Sequence, residues 1–239
     1  MSYKENLKKS FRLGLEKYNI NAEIQMNIAH SLVAILPEIE QPKVLEIGCG
    51  TGFLTEKLFK KYPKGQFDIT DLCPTMVDYC KKKFYTKNTR FFEIDGEKIK
   101  SSNLFFKACK YDLIVTSMVL HWFENPLVTI KNLKHLGPIF YSTIGEKNFI
   151  EWQKILLELK LSNSIFPVYK IPGKLKEEFF PCEQVNLIRF FKSLKDTGTG
   201  LSGVNQSRIS VKNCRQILKV FNTEAPKTMT WHIVYGVIN

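Results

Sequence analysis

The chain has 239 residues, 44% of them hydrophobic and 24% charged, an ordinary globular composition long enough to bury one large core. No apolar run reaches the roughly 18 residues that cross a bilayer and no signal-type segment opens the chain, so a soluble, cytoplasmic protein without membrane partners is expected. The 35 Lys and Arg against 23 Asp and Glu give a formal charge of +12, but no arginine-rich run, zinc finger or aromatic RNA-binding signature accompanies it, so nucleic acid is not an expected partner.

In chain order, Ile24, Ile28, Leu32 and Ile35 recur at three- and four-residue spacings and predict an amphipathic helix from Asn21 to Leu36, ended by Pro37. With a helical stretch before it, this makes a lead-in over residues 1–40. Val44 to Ile47 reads as a short buried strand. It is followed by Gly48, Gly50 and Gly52 and then a helical run with Phe53, Leu54, Leu58 and Phe59 on one face. The pattern repeats: Gln66 to Thr70 is a strand closed by Asp71, and Pro74 suits the first turn of a helix to Phe84. Arg90 to Ile94 is a third strand, closed by Asp95 and Gly96. Tyr111 to Thr116 is a fourth, after which Asn125 and Pro126 cap a helix with Leu127, Ile130 and Leu133 inward. Pro138 to Thr143 makes a fifth.

Beyond Gly145 the rhythm changes. Phe149 to Leu161 reads as helix, and Phe166 to Pro181 as an irregular, lysine-bearing segment with three prolines, so residues of about 146–185 are expected to form an inserted cap. A helix resumes from Ile188 to Leu194, and Trp231 to Ile238 is a terminal strand. The expected fold is a single α/β domain over 1–239, Rossmann-like, with a mostly parallel seven-stranded-type sheet and helices on both faces. In such a sheet the ligand lies at the strand C-termini, where Gly48 to Gly52, Asp71, Asp95 and Ser117 all fall.

A glycine turn between strand and helix lets backbone approach a ligand closely. Nucleotide cofactors use it to bring a pyrophosphate onto the helix N-terminus, but here the strand ends in Glu46, a poor neighbour for phosphate. S-adenosylmethionine (AdoMet) carries an ammonium, a sulfonium and a ribose diol and no phosphate. Acids at successive strand ends suit it: Asp71 for the ribose hydroxyls, and Asp95 with Gly96 at the adenine amino group, with Leu72 and Met76 flanking the ring. The six scattered cysteines have no metal-type spacing, and no metal is expected.

The run Val44 to Phe53, with Asp71 and Asp95, resembles class I AdoMet-dependent methyltransferases in general. More specifically, Tyr111 to Trp122 with its Leu120-His121-Trp122 ending, Tyr141 to Thr143, Phe191 to Gly198 and Thr230 to Ile238 resemble the malonyl-[acyl-carrier-protein] O-methyltransferases of biotin synthesis. Phe11, Tyr18 and Gln25, spaced by seven, fit the same family. The resemblance implies that Gln25 and Ser117 join the cofactor site, that Tyr18 and Trp122 stand at the methyl donor, and that the acceptor is the free carboxylate of a malonyl group on an acidic carrier protein. A carboxylate ionised at neutral pH needs no general base, only alignment and exclusion of water. Arg189, Lys192, Lys195 and Arg208 are the candidates to receive it, and Lys170, Lys174 and Lys176 in the cap are candidates to dock the carrier. A small free acid or other metabolite as acceptor, and a non-catalytic assembly factor, remain the alternatives.

Overall fold

The computed structural model describes residues 2–18, 23–99, 109–161, 167–183, 185–196, 210–223 and 227–239. Seven strands form one sheet: β1 (Lys43–Ile47), β2 (Gln66–Asp71), β3 (Thr89–Glu93), β4 (Leu113–Ser117), β5 (Ile139–Ile144), β6 (Lys174–Cys182) and β7 (Met229–Ile238). Their order is β3-β2-β1-β4-β5-β7-β6. The first five are parallel, and β7 runs antiparallel between β5 and β6. The central strands read as apolar runs rather than alternations because helices cover both faces; Val44, Leu45, Leu113, Ile114 and Val115 are all fully buried. The chain leaves β1 toward β2 and β3, then returns to lay β4 on the other side of β1. That reversal opens a crevice at the C-terminal ends of β1 and β4.

On one face, α2 (Glu23–Ala34), α3 (Phe53–Lys61) and α4 (Pro74–Phe84) bury Ile28, Leu32, Leu58 and Cys80 against Val44 and Ile69. On the other, α5 (Pro126–Leu133) buries Ile130 and Leu133 against Leu45, Ile114 and Ile139. A third cluster closes the C-terminal edge. It joins Leu7 of α1 (Tyr3–Tyr18), Trp152 and Ile155 of α6 (Ile150–Glu158), Leu187 and Leu194 of α7 (Leu187–Asp196), and Ile217 and Phe221 of α8 (Val211–Thr223) to Trp122.

Three sequence expectations need correction. Leu127 is 52% exposed, since Thr129, Ile130 and Leu133 take the inward face of α5, and the Asn125 side chain makes no cap bond. Residues 174–182 do not lie in a cap but form β6, an edge strand against β7. Their exposure alternates between half-buried and exposed, and Pro181 is tolerated because an edge strand does not need its N–H. What encloses the strand ends is α1 with α6, α7 and α8. Helix α8 was not anticipated.

An ion cluster around the buried Asp68 ties three segments together. Asp68 of β2 accepts from Arg90 Nε and Nη2 at 2.7 and 2.8 Å and from the Tyr111 hydroxyl at 2.7 Å. Asp68→Asn is expected to lower stability by about 2 kcal/mol, since charge-assisted bonds become neutral ones around a buried side chain. Urea unfolding should show an earlier midpoint with an unchanged slope, while cofactor affinity of the folded protein stays as it was.

Candidate cofactor and acceptor site

The turn after β1 is held in left-handed backbone: φ is +76° at Gly48, +52° at Gly50 and +87° at Gly52. A Cβ on Gly48 would lie 2.4 Å from the Val119 methyl, and one on Gly52 2.2 Å from the Phe84 ring, so neither position accepts a side chain. Hydrogen bonds fix the turn. The N–H groups of Gly48 and Cys49 donate to the Thr70 carbonyl at 2.9 and 3.0 Å. Asp71, closing β2, accepts from the Gly50 N–H at 2.9 Å and, through its other oxygen, from the Cys73 N–H at 2.8 Å. Its carboxylate thus clamps the turn to the head of α4. Burial raises its pKa, opposed by those N–H donors.

Glu46 is fully buried beneath the turn. One oxygen accepts from the Thr55 hydroxyl at 2.8 Å; the other has no hydrogen-bond partner among the described residues. Burial, with the nearby Asp71 carboxylate adding to it, pushes its pKa up to about 8. A buried acid with an unmet lone pair favours a cation beside it. The Gln25 side-chain oxygen is likewise buried without a partner.

One cavity runs along this edge, and it brings together Gln25, Gly48, Gly50, Asp71, Leu72, Met76, Asp95, Gly96, Ser117 and Trp122 from the sequence reading. Glu46 and Gly52 lie behind the turn rather than on the wall. Tyr18 ends α1, and its side chain lies outside the described residues. On the β3 side, Gly96 faces Phe123 and Ile47 so closely that a Cβ would come within 2.8 and 2.9 Å of them, which leaves a thin apolar slot bordered by Asp95. On the β4 side the wall is aromatic. Trp122 meets Phe11 edge to face with centroids 5.6 Å apart, and Trp231 lines the same end. His121 is buried there, and burial pushes its pKa down to about 3, so it is neutral.

Several lining residues were not anticipated: Lys4, Leu7 and Phe11 of α1, and Trp231. Lys4 pairs with Asp95 at 2.6 Å and Glu97 at 2.7 Å, which pins α1 over the slot. The spacing of Lys4, Leu7 and Phe11 marks one helix face and was the available signal. Arg189 and Lys192, candidates for the acceptor carboxylate, are exposed on α7 and absent from the wall. Arg208 and the Lys195 side chain lie outside the described residues. Lys170, Lys174 and Lys176, expected to dock a carrier, are each paired with a glutamate: Glu146 at 3.2 Å, Glu177 at 2.5 Å and Glu178 at 2.9 Å.

The donor set fits AdoMet. Acids stand at the C-terminal ends of three successive strands, Glu46 one residue before the end of β1, Asp71 closing β2 and Asp95 two residues past β3; two buried acceptors lack donors among the described residues, and the cation lining the described wall, Lys4, is already neutralised by Asp95 and Glu97. Among the described residues no group of acidic, His and Cys side chains forms a metal site.

A family model described as a methyltransferase domain matches residues 45–136. The malonyl-[acyl-carrier protein] O-methyltransferase of Priestia megaterium is 31% identical over 195 residues, covering 79% of this chain and 68% of the relative. Malonyl-[acyl-carrier protein] O-methyltransferase 1 of Ilyobacter polytropus is 26% identical over 258 residues, covering 98% and 94%. Among solved structures, a Haloferax volcanii protein in complex with the Trm112 methyltransferase activator shares the fold, with a TM-score of 0.56 at 14% identity and 96% coverage of both chains. The YcgJ protein of Bacillus subtilis does so with a TM-score of 0.54 at 12% identity, over 88% of this chain and 97% of that one. The chain is an AdoMet-dependent enzyme and belongs to the malonyl-[acyl-carrier protein] O-methyltransferase family of class I methyltransferases.

Proposed function

We propose that this protein methylates the free carboxylate of malonyl-[acyl-carrier protein], in the cytoplasm, as a step of biotin synthesis. The observation that carries the reading is the acceptor end of the cavity: aromatic walls from Phe11, Trp122 and Trp231 around a neutral His121, inside a chain of this family. Such a wall suits a nucleophile that arrives ionised and needs no proton removed.

AdoMet supplies an electrophilic methyl group on a cationic sulfur. The chain binds and orients: Asp71 receives the ribose hydroxyls, Asp95 and Gly96 the adenine edge, Leu72 and Met76 the ring faces, and Gln25, Ser117 and the glycine turn the amino-acid end, with Glu46 as buried counter-charge. The Trp122 face would stand by the sulfonium, worth about 0.5 to 2 kcal/mol; the family resemblance gives Tyr18 the same role. Exclusion of water by the aromatic wall leaves the acceptor oxygen poorly solvated and reactive.

Glu46 gives the binding a pH dependence of known sign. Its pKa stands near 8 in the free protein, and a bound cation favours the carboxylate, so its pKa falls in the complex. Below about pH 8 a proton must leave on binding. Affinity therefore weakens as pH falls from about 8 to about 6, by at most tenfold per unit. Calorimetry across that range checks it; constant affinity down to about pH 6 would contradict it. His121, held neutral, adds nothing to the profile.

Expression in a biotin-requiring bacterial strain that lacks its own malonyl methyltransferase tests the function in cells. Growth without biotin is expected for the native chain and not for Asp71→Ala. Failure of the native chain, expressed and folded, would count against the acceptor assigned here.

A further inference from the structure

The cations expected to dock a carrier are neutralised locally, which leaves open where a partner sits. Helix α1 packs on α7, so their outer faces adjoin. Each presents an exposed aliphatic residue beside an arginine: Leu13, 69% exposed, next to Arg12, and Ile188, 63% exposed, next to Arg189. Lys9 and Lys192 are exposed on the same two helices. None of these four cations has an ion pair among the described residues, whereas Lys170, Lys174 and Lys176 all do. Glu5, one turn earlier on α1, accepts from the Ser2 backbone N–H.

This surface also adjoins the acceptor end of the cavity. The inner face of α1 supplies Phe11 to the wall. Behind α7, Phe190 packs on Phe149 at 5.2 Å, and Phe149 packs on Trp231 of the wall at 4.7 Å. A thioester arm entering that end comes from beside α1 and α7. The lysines at the C-terminal end of α4, Lys81 and Lys82, are as exposed and as basic, but α4 stands on the ribose side, away from the acceptor.

We propose that the joined outer faces of α1 and α7 dock the carrier protein, through an acidic helix that sets apolar side chains on Leu13 and Ile188 and carboxylates on Arg12 and Arg189. The inference rests on the acceptor being carrier-bound, and it assigns the recognition to this face rather than to the β6 edge. Cations without an ion pair among the described residues, set around exposed apolar groups, give both long-range steering and a contact to hold.

The test uses the full chain and two acceptors, malonyl-carrier protein and the small thioester malonyl-pantetheine. Arg12→Glu/Arg189→Glu is expected to lower kcat/KM for the carrier-bound substrate by about tenfold or more at low salt, through KM, with the loss shrinking as salt rises. Malonyl-pantetheine should be methylated as before, and Lys81→Glu/Lys82→Glu should leave both rates unchanged. An equal loss on the small thioester, an equal effect of the α4 pair, or no effect on the carrier-bound substrate would overturn the assignment. So would a concentration-dependent dimer that the α1–α7 variant dissociates, which would give the face to a second copy. If native enzyme methylates neither thioester, the proposed acceptor itself is wrong and the docking surface falls with it for that separate reason.

Discussion

Asp71→Ala is expected to remove measurable AdoMet binding, the largest single effect in the site. Two contributions add. The variant loses the acceptor proposed for the ribose hydroxyls, and bonds to a charged group are worth about 1.5 to 3 kcal/mol each. It also strands the Gly50 and Cys73 N–H groups that the carboxylate now receives at 2.9 and 2.8 Å, so the glycine turn loses its brace. Together these amount to about 3 kcal/mol or more, at least a hundredfold in Kd. Calorimetry with AdoMet measures it, and circular dichroism confirms that the fold persists. Asp71→Asn keeps one oxygen and should fall between the two. Affinity unchanged in Asp71→Ala, with the protein folded, would remove AdoMet from this end of the sheet.

Glu46→Gln should move binding and stability in opposite directions. In the free protein Glu46 is wholly buried and its pKa is raised from its ordinary value to about 8. A carboxyl whose pKa is raised by folding costs stability above its unfolded pKa, because the folded chain must hold a proton that the unfolded chain releases. That cost is absent well below the unfolded pKa and grows as pH rises toward about 8. Glutamine carries no such cost and can still accept from Thr55, so the ligand-free variant should be more stable near neutral pH by on the order of 2 kcal/mol. The same change removes the counter-charge under the cofactor and should weaken AdoMet by about 2 kcal/mol, roughly thirtyfold. Thermal melts with and without AdoMet read both: the variant should start higher and shift less. A variant that melts lower without ligand would mean that Glu46 is a structural acid rather than a binding one.

Much of this site could be read from the sequence because its parts are local. The parallel strands are short, and the residues at their C-terminal ends sit at the ligand edge by topology alone. Gly48, Asp71 and Asp95, legible as strand-end residues, all line one cavity. Pro74 marked the first turn of α4 for the same local reason.

What escaped depends on contacts far apart in sequence. Lys4 reaches Asp95 across 91 residues, and nothing local to either announces the pair. β6 mixes lysines, glutamates and phenylalanines because one face packs and the other meets solvent, so its period of two reads as disorder until β7 is seen beside it. Leu127 looked inward by type, yet the helix phase set by Ile130 and Leu133 turned it out. Arg189 and Lys192 suit a substrate charge by type, but Phe190 and Phe191 of α7 face Phe149 and Trp152, which leaves the cations outside.

The central claim is methyl transfer from AdoMet to a carrier-bound malonyl carboxylate, and mass spectrometry of the intact carrier after incubation with enzyme and methyl-labelled AdoMet tests it most directly. The account predicts one labelled methyl group on malonyl-carrier protein, lost on mild ester hydrolysis, with none on acetyl-carrier protein and little on free malonate or aconitate. Labelled free acid with an unmodified carrier, under conditions where AdoMet is bound, would contradict it.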